Sequence, residues 1–163
     1  MRRMKQTFLA AALVLASAGA AHAGGQPGSI GVGAEFQISN TGGLSVNYDA
    51  GRFHVGGFLS VDDPAGSDNT RFDIGGRFFF HVASTASADF SVGGSLGLSS
   101  RDPGPNLDRQ NFLFIEPSFQ IRAFIVPNVA LSFTGGFSIG AADASDLVID
   151  GQATGIAGVH YYF

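Results

Sequence analysis

The chain contains no cysteine, so no disulfide can staple it, and its fold must stand on packing and hydrogen bonding. Lysine is nearly missing as well, since Lys5 is the only one. Charged residues make up 13% of the sequence. Without clustered Lys or Arg there is no footprint for phosphate, which argues against nucleic acid as a partner, and the same shortage disfavours a peripheral protein held on anionic lipid. The apolar stretch from Phe8 to Ala16 falls well short of the roughly 20 residues that a spanning helix needs.

That stretch has a different reading. Arg2, Arg3 and Lys5 precede it, and the small residues ending Ala21-His22-Ala23 follow it. A basic start, a short apolar middle and an A-x-A site predict a secretory signal peptide over residues 1–23, removed on export. The mature domain is then 24–163. It keeps six arginines against thirteen acidic residues, a net of −7, and at about 140 residues it is expected to form one domain. High glycine and phenylalanine with few charges suits a β-rich membrane protein or an unusually apolar secreted barrel.

The mature chain alternates with a period of two, which in a strand sends successive side chains to opposite faces. Ile30, Val32, Ala34, Phe36 and Ile38 oppose Gly31, Gly33, Glu35, Gln37 and Ser39. Phe53, Val55, Gly57, Leu59 and Val61 alternate with His54, Gly56, Phe58 and Ser60. Phe72, Ile74, Phe78, Phe80 and Val82 oppose Arg71, Asp73, Arg77 and His81. The same pattern runs through segments beginning near Leu44, Phe90, Leu113, Val129 and Ala157, which makes eight strands, with the charged strand residues on one parity. The polar parity is mostly Ser, Thr, Gly and Gln with sparse charge, which suits a narrow filled lumen. The apolar parity carries more bulky Phe than an eight-stranded interior holds. The expectation is therefore an all-β, eight-stranded antiparallel up-and-down transmembrane β-barrel, apolar side outward.

Connection lengths point the same way. Those near Ala50-Gly51, Ala83 to Ser87 and Val126 to Asn128 are short, whereas Asp62 to Thr70, Ser100 to Gln110 and Gly140 to Asp146 are longer. Short turns on one side and long loops on the other is the membrane-barrel pattern, the short side being periplasmic. The short connection at Asn40 to Gly43 is an exception on the long side. Pro117 lies inside the sixth strand, where it removes a ladder donor, so a bulge or bend is expected near Glu116-Pro117.

The chain ends Val159-His160-Tyr161-Tyr162-Phe163. A terminal Phe preceded by Tyr161 and Val159 at alternate positions resembles the C-terminal signal of bacterial outer-membrane barrels. With the signal peptide and eight alternating strands, the mature chain resembles the small-barrel group that includes the OmpA transmembrane domain and OmpX. That resemblance implies recognition of Val159, Tyr161 and Phe163 by the barrel-assembly machinery, and residence in the outer membrane among its lipid and lipopolysaccharide, as a monomer. No peptidoglycan-binding domain of the kind fused to OmpA is expected. Phe163 and Tyr161 would join Tyr48, Phe53, Phe80 and Phe90 in a periplasmic aromatic girdle.

Candidate sites follow from parity. Glu35, Arg77, Glu116 and Arg122 all point inward, and buried charges must find partners, so crossing ion pairs are expected to plug the lumen. His54, His81 and His160 share that parity near the periplasmic end and could ligate a transition metal. The alternative, three separate lumen residues hydrogen-bonded to Asp49, Asp89 or water, is favoured, so neither metal nor cofactor is expected. The loop carboxylates Asp62, Asp63, Asp68, Asp102, Asp108, Asp143 and Asp146, with Arg101 and Arg109 among them, have no calcium-loop spacing and read as solvated turn residues. No nucleophile elbow, phosphate loop or zinc-protease motif occurs, so no enzyme is expected. The function these features suggest is a structural or surface-interaction protein of the outer membrane. A narrow channel or small-solute carrier is the alternative, and a soluble exported barrel with an apolar interior ligand is the third.

Overall fold

A computed structural model describes residues 27–37, 42–63, 70–102, 108–142 and 150–163, with the backbone alone at 141, 142 and 150–152. The proposed signal peptide 1–23, Ile38, and the loop residues Asp68, Asp143 and Asp146 lie outside the described residues. Eight strands follow one another: β1 Ile30–Gln37, β2 Gly42–Asp49, β3 Phe53–Asp62, β4 Arg71–Ser84, β5 Ala88–Arg101, β6 Gln110–Val126, β7 Val129–Ala142 and β8 Asp150–Tyr162. Each pairs antiparallel with the next, and β1 pairs with β8, so the sheet closes into a barrel. Closure leaves no edge with unpaired backbone groups, which a spanning sheet requires.

The seam is finished by the chain's last residue. Ile30 N donates to Phe163 O and Phe163 N donates to Ile30 O, both at 3.0 Å. Tight turns gather at the same end, here called the turn end. Gly51 takes φ 87°, a left-handed conformation that suits glycine. Its N–H is capped by Asp49 Oδ1 at 2.9 Å. In the β4–β5 turn the Thr85 hydroxyl donates to Ala88 O at 3.1 Å and accepts from Ala88 N at 3.0 Å. Pro127 and Asn128 make the β6–β7 turn.

The alternation in sequence becomes two surfaces of opposite character. Leu96, Ile115, Ile74, Phe78 and Phe137 are exposed on the outer wall, while Glu35, Asp73, Arg77, Glu116, Gln120 and Arg122 are buried inside. This inversion of a soluble protein's arrangement suits a hydrocarbon surrounding. Strands β4 to β8 are 13 to 17 residues long, more than the 9–11 or so that cross a bilayer at a tilt. Tyr48, Phe53, Phe80, Phe90 and Phe163 are exposed on the outer wall toward the turn end. Tyr161 lies beside Phe163, the two rings tilted with centroids 6.3 Å apart.

Two expectations need correction. The expected bulge at Glu116-Pro117 does not form. Gly94 still faces Pro117, and the β6–β7 register runs from Ile115↔Ile139 to Ser118↔Gly136 without a shift. The missing donor interrupts the ladder on the β7 side only, and Leu113 and Ile115 keep their outward parity. The register shifts fall instead between His81 and Ala83 and between Phe124 and Val126, both beside turns. The interior is also less polar than expected: Phe79 and Tyr162 are fully buried, and Phe58, Phe112 and Phe114 line the inside. Glycines make the room, since a Cβ on Gly75 would strike the Phe58 ring and one on Gly97 would come 2.6 Å from Phe114 Cζ.

The outer wall predicts a clear response to charge. Leu96→Arg should cost about 2–4 kcal/mol in urea unfolding from phospholipid vesicles, as for a cation on the lipid face near the midplane. An unchanged midpoint would mean that this wall meets water.

Candidate functional site in the lumen

The inward side chains form three tiers. Nearest the turns, Arg122 on β6 is the hub. Its Nη2 lies 2.7 Å from Asp89 Oδ2 and 2.7 Å from Asp49 Oδ2. Nε lies 3.0 Å from both Asp89 oxygens, and Nη1 donates to the Tyr162 hydroxyl at 2.9 Å. Asp89 is the direct cross-strand partner of Arg122, whereas Asp49 on β2 is four strands away around the ring and Tyr162 is on β8. The guanidinium therefore bridges the lumen from wall to opposite wall. Its carbon also sits 5.6 Å from the Phe124 ring centre and 5.8 Å from that of Tyr162, a planar cation held between aromatic faces.

His54 and His81 extend this tier. His81 Nδ1 is 2.9 Å from Gly51 O, which can only accept, so that nitrogen carries the proton. His81 Nε2 lies 3.1 Å from Arg122 Nη2, which can only donate, so this nitrogen accepts. The bond of 2.8 Å between His81 Nε2 and His54 Nδ1 then has His54 as donor, and both tautomers are set by their neighbours. His54 stacks on Phe79 with centroids 5.2 Å apart.

The middle tier holds a second bridge. Arg77 on β4 donates from Nη1 and Nη2 to the two oxygens of Glu35 on β1, each at 2.6 Å. This is the fork-to-fork geometry that makes arginine–carboxylate pairs directional. Arg77 also stands 4.9 Å from the centre of the Phe58 ring. Beneath it, His160 Nε2 lies 2.6 Å from Ser45 Oγ and 3.4 Å from Glu35 Oε1.

The third tier, toward the long connections, is open. A cavity of about 690 Å³ lies there, lined among others by Arg71, Asp73, Phe58, Phe114 and Glu116, with Glu35 and Arg77 at its floor. Arg71 Nε reaches Asp73 Oδ2 at 2.8 Å, and Ser60 donates to the same oxygen at 3.2 Å.

The four charged residues singled out by parity thus divide. Glu35 and Arg77 meet each other. Arg122 meets Asp49 and Asp89, and Glu116 belongs to no ion pair among the described residues. The three histidines do not converge: His54 and His81 share a hydrogen bond, while His160 is engaged with Ser45 and Glu35. Among the described residues no three potential ligands gather around one metal position. Asp49 and Asp89, expected beside histidines, serve Arg122 instead. Among the described residues Ser45 and His160 make the one buried Ser–His contact that resembles hydrolase chemistry. Glu35, however, approaches the same Nε2 as the serine, Nδ1 has no hydrogen-bond partner, and Ser45 is 2% exposed. A relay needs the acid on the far nitrogen and an accessible nucleophile.

No protein-family model matches the chain, and no curated protein matches it either. Among solved structures it is similar to the N-terminal β-barrel domain of Pseudomonas aeruginosa OprF, with a TM-score of 0.58 and 11% identity over 83% of this chain and 96% of that one. It is also similar to neisserial surface protein A (NspA), with a TM-score of 0.50 and 16% identity over 83% of this chain and 94% of that one. At such identities the likeness is one of fold. The chain has the fold of the small eight-stranded outer-membrane barrels of the OmpA and OmpX type.

The hub makes a specific energetic prediction. Arg122→Ala leaves two buried carboxylates unpaired and should destabilise the barrel by about 3–5 kcal/mol. Adding Asp49→Asn and Asp89→Asn should recover part of that loss. With no tryptophan in the chain, circular dichroism during denaturant unfolding is the measurement, and a single variant as stable as the parent would remove Arg122 from this role.

Proposed function

We propose that this chain is an integral outer-membrane β-barrel protein, exported by a cleaved signal peptide, with a structural or surface-interaction role and a lumen closed by ion pairs. The observation that carries the reading is the Arg122 bridge, 1% exposed, which joins side chains from β2, β5, β6 and β8 across the interior. The Glu35–Arg77 bridge lies above it as a second barrier. Opening a path past both would strand buried charges, at a cost of several kcal/mol for each. This weighs against a steady channel. A soluble barrel with an apolar interior is disfavoured by the position of the charges, which are inside, and of the large exposed apolar side chains, which are outside.

In this reading outer-membrane lipid and lipopolysaccharide surround the apolar wall. The barrel-assembly machinery engages Val159, Tyr161 and Phe163, and the protein works as a monomer without cofactor or catalytic activity. The fold likeness to OprF's barrel domain and NspA supports the class and leaves the particular role to the loops, where specificity is carried in such scaffolds.

Three measurements test the proposal. The mature protein should fractionate with outer membranes and show a mobility shift on heating before electrophoresis; a soluble, unshifted protein would overturn the membrane reading. Planar bilayers containing it should show no steady unitary conductance, and reproducible openings would replace the plug with a channel. Deleting Phe163, which removes both seam hydrogen bonds to Ile30, should sharply reduce the membrane-inserted fraction in cells.

A further inference from the structure

The loop-end cavity holds a buried carboxylate, Glu116, that makes no ion pair among the described residues, although Arg71, Arg77 and Arg101 line the same space with Glu35 and Asp73. Glu116 is 5% exposed, and its Oε1 has no hydrogen-bond partner. By register Glu116 stands in one row with Ser95 and Arg77, but Arg77 commits both Nη groups to Glu35. The other arginines beyond the proposed signal peptide are placed as well. Arg71 is with Asp73, Arg109 with Asp102, and Arg122 with Asp49 and Asp89. Arg101 lies over Phe112, and Arg52 is exposed near the turns. The segments 38–41, 64–69, 103–107 and 143–149 contain no Lys or Arg, so the sequence has no further cation to bring to Glu116. A buried carboxylate with neither counter-ion nor complete hydrogen bonding is costly in isolation.

From this we infer that the cavity is a binding site for a small organic cation, a primary ammonium carried on an apolar body, with Glu116 as its counter-ion. Six polar atoms of the lining lack a hydrogen-bond partner: Asp73 Oδ1 and Glu116 Oε1 accept, Arg71 Nε and Arg77 Nε donate, and the Ser99 and Thr154 hydroxyls can do either. An ammonium offers three donors and no acceptor, which suits the two carboxylate oxygens and the two hydroxyls of that set. The apolar body has a surface to lie on. Phe112, Phe114 and Glu116 are alternate residues on the inner face of β6, about 7 Å from one to the next. This stripe runs from rings near the mouth to a carboxylate at depth, and Phe58 faces Phe114 with centroids 6.2 Å apart. A cavity of about 690 Å³ is within the usual range for small-molecule sites. The connections on this side and the strand ends beside them carry Asp62, Asp63, Asp68, Asp102, Asp108, Asp143 and Asp146 against Arg101 and Arg109, and an acidic approach concentrates cations.

The inference concerns the barrel's interior and is read out by ligand binding, so its failure is distinguishable from a failure of the membrane reading. The test is isothermal titration of the refolded mature protein in zwitterionic detergent with phenethylammonium chloride, set against neutral phenethyl alcohol and protein-free micelles. Saturable binding of the ammonium, with the alcohol weaker by roughly tenfold or more, is expected for a charge-assisted contact. Glu116→Gln, shown to be folded by its heat-modifiable mobility, should lose the same factor. Absence of saturable ammonium binding, equal binding of the alcohol, or unchanged affinity in folded Glu116→Gln would each overturn the assignment. If Glu116→Gln does not fold, the ammonium–alcohol comparison on the unaltered protein still decides.

Discussion

Pairing of β1 with β8 is the constraint on which everything else depends. Until Ile30 and Phe163 exchange their hydrogen bonds the sheet has two edges, and a sheet with edges cannot sit in hydrocarbon. Once it closes, the interior becomes a narrow space that bulk water cannot readily rescue, and every polar group inside must find a neighbour there. The Arg122 and Arg77 bridges answer that demand. Each arginine reaches far around the ring, and each offers a rigid fork that satisfies carboxylates at more than one point.

The two halves of the lumen meet the demand differently. Toward the turns, Phe79, Tyr162, the histidine pair and Arg122 fill the space, and side chains are tied to the turn backbone through Gly51. Toward the long connections the rings of Phe58, Phe112 and Phe114 alternate around the wall with small residues, among them Ser60, Ser95 and Ser99, and the filling gives way to a cavity. The same closed ladder thus holds a packed plug and an open vestibule, separated by the Glu35–Arg77 pair.

Much of this was legible in sequence because strand parity is local. Alternation at Phe72, Ile74, Phe78 and Phe80 against Asp73 and Arg77 needs no long-range information, and the strand count, the polarity of the two faces and the turn positions follow from it. The ion-pair partners were not legible, because they depend on register across the barrel. Asp89 and Arg122 face each other only because β5 and β6 pair with a particular stagger, and the long connection between them does not set that stagger as a two-residue turn would. Asp49 meets Arg122 across the full width of the lumen, and no spacing in sequence encodes that. The inward phenylalanines were underweighted for a related reason. Phe58 and Phe114 fit because Gly75 and Gly97, on other strands, are beside them. Pro117 shows the opposite case, where a local rule overstated its effect because strong pairing with β5 held the register through the gap.

Asp49 has a consequence for the order of assembly. One of its oxygens shapes the β2–β3 hairpin, while the other waits for Arg122, and Arg122 in turn takes a hydroxyl from the final strand. The cluster therefore cannot be complete until the β2–β3 hairpin and the last strand have come round to meet Arg122. The charges lock together only when the cylinder is whole, which makes the hub a latch on a finished barrel rather than a nucleus for building one.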